Sequence, residues 1–199
     1  MYKSIIFDFD GTLADCKELH QTAFRNAVMQ LCPGATFNNE DIEGRPTREK
    51  MRILHTMGYE FNDDKLNEIK QAYTQEHLWQ YVTHNEELCN EMLKLQKKYK
   101  LCVASNATEL FVYRSLEIMQ LHRRPDGNQV FTKINTATDF PAKPDAYTFF
   151  DCMRWTNSIP DNTIIFEDSL VGIQCALSTG AEVIRVTDVL HTIEEMKNL

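Results

Sequence analysis

The six residues Asp8-Phe9-Asp10-Gly11-Thr12-Leu13 follow directly on the apolar run Ile5-Ile6-Phe7. This join constrains the chain more than any other feature in it. A buried strand ends there and presents two carboxylates, at i and i+2, on one face, roughly 7 Å apart along the strand. Two carboxylates at that range repel unless a cation or a shared proton separates them. A hard divalent ion with oxygen ligands resolves the conflict, and Mg²⁺ is the expected one. Gly11 lets the chain turn sharply where a side chain would obstruct it. Taken alone, the same residues also suit an ordinary turn, because Asp, Gly and Thr are common turn residues. The rest of the chain decides between the two.

A chain of 199 residues can bury a substantial core without disulfides or a structural metal. That length fits one domain, or a core carrying a smaller inserted module. The formal net charge of −8 leaves no broad basic field for nucleic acid or a membrane surface. Cys16, Cys32, Cys89, Cys102, Cys152 and Cys175 are scattered with no C-x-x-C pair, which points to free thiols in a reducing, intracellular compartment. The first residues run into a strand with no basic leader. No apolar run approaches the ~20 residues of a membrane helix. The expected location is the cytoplasm.

Five apolar runs read as strands buried on both faces: Ser4 to Phe7, Leu101 to Ala104, Val130 to Ile134, Thr163 to Phe166 and Glu182 to Val186. Helical periodicity falls between most of them, over Glu87 to Tyr99, Thr108 to Leu121, Asp145 to Trp155 and Leu170 to Ser178. Thr108 is placed to cap the second of these helices, and Gly180 to close the last. Strands alternating with helices predict an α/β fold with a doubly wound parallel sheet. From about Cys16 to Tyr81 the pattern is helical throughout, broken at Pro33-Gly34, Gly44-Arg45-Pro46 and Gly58. That is too long for a loop. It reads as an inserted helical module, residues 16–81, in a core made of 1–15 and 82–199, expected over the carboxyl edge of the sheet where such folds bind ligands. Leu121 to Asn128, with His122, Arg123, Arg124 and Pro125, reads as an exposed loop.

Three further strand ends supply polar groups at the same edge. Ser105-Asn106 follows the second strand, before a helix, where backbone N–H groups can meet an anion or a side chain can cap the helix. Lys143-Pro144 follows the third strand at the head of a helix. A cation there can neutralise a phosphoryl group, although a lone lysine is more often solvated. Glu167-Asp168-Ser169 ends the fourth strand as a second acidic pair, able to supply outer ligands for an ion at Asp8 or to cap the next helix.

In this order, Asp-x-Asp-Gly-Thr, Ser-Asn, Lys-Pro and Glu-Asp resemble the haloacid dehalogenase superfamily of phosphotransferases, whose core is Rossmann-like. The resemblance runs from Tyr2 to about Thr187. It is closest to the branch holding β-phosphoglucomutase and phosphoglycolate phosphatase, with a helical cap after the first motif. The stretch from Glu167 to Ala176, followed by Gly180-Ala181, is characteristic of that branch.

The resemblance implies roles for these residues. Asp8 would be the nucleophile that takes the phosphoryl group and would also bind Mg²⁺. Asp10 would protonate the leaving oxygen and then activate water, and its main-chain carbonyl would bind the metal. Ser105 and Asn106 would hold phosphate oxygens, and Lys143 would tie that phosphate to the nucleophile. Asp168 with Glu167 would complete the metal shell. His20, Thr47 and Arg48 match places where the sugar-phosphate branch contacts substrate, and an Arg there can clamp an anionic group bidentately. The metal-free dehalogenases that name the superfamily lack the second aspartate, so Asp10 favours phosphate chemistry. The Pro-Gly turn usual before the Ser-Asn strand is Thr83-His84-Asn85 here, and the cap lacks a clear match to the mutase lysine pattern. The expectation is a Mg²⁺-dependent phosphatase acting on a small phosphorylated metabolite through an aspartyl-phosphate, as a monomer or weak dimer. The alternatives are a sugar phosphomutase and, outside enzymes, a catalytically silent binding module.

Overall fold

A computed structural model describes residues 1–38, 42, 46–123, 127–138 and 141–199. Gly44, Arg45, Arg124 and Pro125 lie outside the described residues. The described chain divides into two compact units. One joins Met1–Asp15 to Tyr81–Leu199, and the other is Cys16–Gln80.

The first unit is built on five parallel strands: β1 Ser4–Phe7, β2 Lys100–Ala104, β3 Lys133–Asn135, β4 Thr163–Glu167 and β5 Glu182–Arg185. Their order across the sheet is β3-β2-β1-β4-β5, so β1 lies at the centre and the chain crosses over on either side of it. Alternate residues of a strand face opposite ways. Ile6, Cys102, Ala104 and Ile165 pack with Phe149, Cys152, Met153, Cys175 and Ala176. Their neighbours Ile5, Phe7, Leu101, Val103, Ile164 and Phe166 point to the other face and are equally buried. There the Phe7 and Phe166 rings stack at 4.9 Å between centroids. Both faces are therefore covered, and the fold is the expected doubly wound α/β sheet. The helices of this unit are α4 Glu86–Gln96, α5 Glu109–Ile118, α6 Tyr147–Thr156, α7 Leu170–Ser178 and α8 Val189–Lys197.

Two expectations, the start of β3 and the Thr108 cap, change for physical reasons. Val130 and Phe131 are buried but precede β3, which starts only at Lys133. Burial extends further along this segment than strand pairing does. Thr108 precedes α5, yet its side chain makes no capping bond. The Glu109 N–H donates to Thr138 Oγ1 instead, at 3.0 Å.

The second unit contains α1 Lys17–Leu31 and α2 Thr47–Thr56, together with most of α3 Asp63–Tyr81. It has its own core, in which Phe24, Val28, Met51, Leu54 and Leu66 pack with Phe37 and Ile42. No helix among the described residues is long and apolar enough to cross a membrane.

Candidate active site

The carboxyl ends of β1, β2 and β4 hold the polar residues of the sheet unit in place by continuing the ladder beyond the strands. The Asp8 N–H donates to Phe166 O at 2.9 Å, the Ser105 N–H to Asn135 O at 3.0 Å and the Val186 N–H to Glu167 O at 3.0 Å. After Asp8 the chain folds into a tight loop, with the Leu13 N–H on Phe9 O and the Gly11 N–H on Ala14 O. Phe9 is fully buried and meets the Phe111 ring edge to face. Gly11 adopts φ +91°, a conformation that favours glycine. A Cβ there would also collide with the Asp168 carboxylate.

Lys143 is the hub of the site. It is 3% exposed, and its Nζ donates to Asp8 Oδ1 and to Glu167 Oε1, each at 2.6 Å. Its ammonium also lies 5.0 Å from the Phe149 ring centroid. Burial alone would depress the Lys143 pKa, but Asp8 and Glu167 hold it above the ordinary lysine value. Glu167 is fully buried, and its other oxygen accepts from the Ser169 N–H and hydroxyl at 3.0 Å. A Cβ on Gly172 would strike the Glu167 carboxylate. The bare glycine in α7 therefore makes room for the site.

Asp8, Glu167 and Asp168 each place a carboxylate oxygen within 4.8 Å of the others. Three carboxylates against one ammonium leave two negative charges in a buried space. Burial and the charges of Glu167 and Asp168 push the Asp8 pKa well up, with Lys143 opposing. Burial and then the Glu167 charge raise Asp168 to about 6. The Asp168 Oδ1 is buried without a hydrogen-bond partner. An orphaned oxygen and an excess of two negative charges in an all-oxygen donor set fit a hard divalent cation such as Mg²⁺.

The other expected residues fall as follows. Asp10 is half-buried on the loop after β1 and is outside this carboxylate cluster; the ligand expected from it is its main-chain carbonyl. Ser105 is buried, and its Oγ accepts from the Ala107 N–H at 3.1 Å. Neither Ser105 nor Lys143 lies at a helix start, since α5 begins at Glu109 and α6 at Tyr147. Asn106 is tied to Lys143 by its side-chain amide. Its Oδ1 accepts from the Lys143 N–H at 2.7 Å, and its Nδ2 donates to Lys143 O at 3.2 Å.

In the helical unit, Thr47 opens α2 and Arg48 is exposed on its first turn. His20 lies on α1, and burial followed by the charges of Lys70 and Lys50 lowers its pKa to about 3. The sequence reading missed these two lysines. Lys70 is 7% exposed although its sequence neighbourhood is polar, and a buried lysine leaves no local sequence signal. Gly172 was legible only as part of the characteristic stretch, without its reason.

A buried lysine that joins two carboxylates at the carboxyl end of a parallel sheet, beside a third carboxylate, is an arrangement able to support phosphoryl-transfer chemistry. Residues 5–186 match the haloacid dehalogenase-like hydrolase family, and the chain belongs to it. A phosphorylated carbohydrates phosphatase from Thermotoga maritima is 26% identical, over 99% of this chain and 89% of that protein. A β-phosphoglucomutase structure from Clostridium difficile superposes with a TM-score of 0.74 at 22% identity, covering 100% of this chain and 98% of that one. A structure from Entamoeba histolytica described as a family IA, variant 3 hydrolase gives a TM-score of 0.76 at 21% identity, covering 92% of this chain and 83% of that one.

Proposed function

We propose that this protein is a Mg²⁺-dependent phosphatase of a small phosphorylated metabolite, a phosphorylated carbohydrate by analogy with its relative. The buried Asp8–Lys143–Glu167 array beside Asp168 carries this reading. Asp8 Oδ attacks the phosphorus as the ester oxygen leaves, and Asp10 gives that oxygen its proton. Asp10 then takes a proton from water, whose oxygen attacks phosphorus, and the bond to Asp8 breaks to release phosphate. Lys143 offsets the negative charge of the Asp8 carboxylate and stays protonated throughout. The cation would be held by Asp8, the Asp10 carbonyl and Asp168, with Glu167 close by, and it would offset the charge repulsion between carboxylate and phosphate. Residues 16–81 act as the substrate-selecting cap in this reading, with His20, Thr47 and Arg48 among the contacts.

One observation favours the mutase reading. A mutase must hold a second phosphate, and the helical unit carries Lys50 and Lys70 near His20 as well as Arg48. Incubation with β-glucose 1-phosphate, a trace of the 1,6-bisphosphate and Mg²⁺ decides between the two. Free phosphate released faster than glucose 6-phosphate supports the phosphatase, and the reverse order promotes the mutase. A panel of phosphorylated metabolites that yields neither free phosphate nor an isomeric phosphate would sink both.

A further inference from the structure

We infer that Asn106 is a positioning residue that acts through Lys143, an inference that rests on the catalytic role proposed for Lys143. The side-chain amide of Asn106 grips both main-chain polar groups of one residue 37 positions away, taking the Lys143 N–H at 2.7 Å and giving its own N–H to Lys143 O at 3.2 Å. This paired geometry uses one acceptor and one donor in register, as a peptide partner would in a sheet. It extends the join between the loops after β2 and β3, where the Ser105 N–H meets Asn135 O, the Ala137 N–H meets Ala107 O and the Glu109 N–H meets Thr138 Oγ1.

The consequence for Lys143 follows from its length. A lysine side chain has four rotatable bonds and high rotamer entropy. To span Asp8 and Glu167 at 2.6 Å each, it needs a fixed root as well as a fixed tip. Asn106 fixes the root. The Phe149 ring lies under the ammonium, and the two carboxylates fix the tip. The Asn106 side chain thus sets where the ammonium lies.

The test combines amide exchange with a double-mutant cycle. In Asn106→Ala, exchange at the Lys143 N–H should accelerate about tenfold, as expected for the loss of one hydrogen bond. With a phosphorylated substrate identified by panel screening, kcat should fall roughly tenfold to a hundredfold while KM stays within about threefold. In a Lys143→Ala background, adding Asn106→Ala should change turnover by less than about twofold. Unchanged exchange at Lys143, or the full loss repeated in the Lys143→Ala protein, overturns the assignment. If turnover in that background is too low to compare, the exchange result alone decides. Asn106→Gln, which keeps the amide but moves it by one methylene, should resemble Asn106→Ala. Exchange needs no turnover, so a wild-type protein with no phosphatase activity would refute the proposed function without touching the clasp.

Discussion

The charges at the candidate site contrast with two ion pairs of the helical unit. In the sheet unit, Asp8, Lys143 and Glu167 are 7%, 3% and 0% exposed, and each is tied to another by a short bond rooted in a strand end. In the helical unit two ion pairs are open to solvent, His55–Asp63 at 2.7 Å and Lys65–Glu68 at 2.9 Å, and Arg48 is exposed. Surface pairs of this kind contribute little to stability. A buried pair costs so much desolvation that it persists only with good geometry and a reason to be there. A parallel sheet supplies that geometry, because backbone hydrogen bonds on both sides fix where each strand ends. Preorganised charge suits bond breaking, whereas an exposed helix face suits the recognition of varied substrates. Substitutions in the sheet unit should therefore act on kcat, and those in the helical unit on KM or on local stability.

The largest effect is expected at Asp8. Asp8→Asn keeps the shape and removes the anion, so turnover should fall at least about a thousandfold, as when a covalent catalyst is deleted. EDTA should abolish activity, Mg²⁺ should restore it, and Ca²⁺ should inhibit because its looser coordination misplaces the carboxylate. Steady-state kinetics with contaminating wild-type enzyme excluded is the check. Most of the activity surviving in Asp8→Asn would dissolve the contrast between the units at its root.

Gly172→Ala sharpens the comparison by reversing a usual sign. Within a helix this change normally stabilises by about 1 kcal/mol. Here the new Cβ would run into the Glu167 carboxylate, so the protein should instead lose about 1–3 kcal/mol. Glu167 and the Lys143 it holds should shift together, costing roughly a hundredfold in kcat. Urea denaturation and kinetics measure the two effects separately. A stabilised, fully active variant would show that Glu167 tolerates displacement.

The strand ends explain how much was readable in advance. The bounds of β1 and α7 match the expected ones residue for residue: a strand buried on both faces is one uninterrupted apolar word, and the helix is bracketed by Ser169 and Gly180. The order of acidic pair, hydroxyl, lysine and acidic pair needed only that pattern. The start of β3 was misplaced because Val130 and Phe131 are buried without belonging to the strand. The grip of Asn106 on Lys143 was out of reach for another reason. It joins two main-chain groups to an amide across 37 residues, and main-chain partners leave no trace in composition. Lys70 defied the reading because burial of a lysine is a property of the packed helices and not of its neighbours.

A smaller effect is expected at Arg48. Removing one charged contact to an anionic substrate should raise KM by roughly tenfold and leave kcat nearly intact. Initial rates over a wide substrate range test Arg48→Ala. A kcat loss with unchanged KM would mean that Arg48 belongs with the chemistry, and the division of labour between the two units would fail there.

The smallest effect concerns His20, and it is read in stability. Burial and the charges of Lys70 and Lys50 hold its pKa down to about 3 in the folded protein, against an ordinary value of ~6.5. A lowered histidine pKa means that the unfolded chain binds a proton that the folded chain refuses. Stability from this group is thus complete above about pH 6.5 and is lost as pH falls from there towards 3. Partial exposure of the ring moderates the loss, so it should amount to roughly 1 kcal/mol between pH 7 and pH 5. Urea denaturation of His20→Gln at both pH values should show a decline shallower by that amount than in the wild type. Equal slopes would mean that the folded protein accepts the proton, and that the helical unit solvates its polar groups throughout.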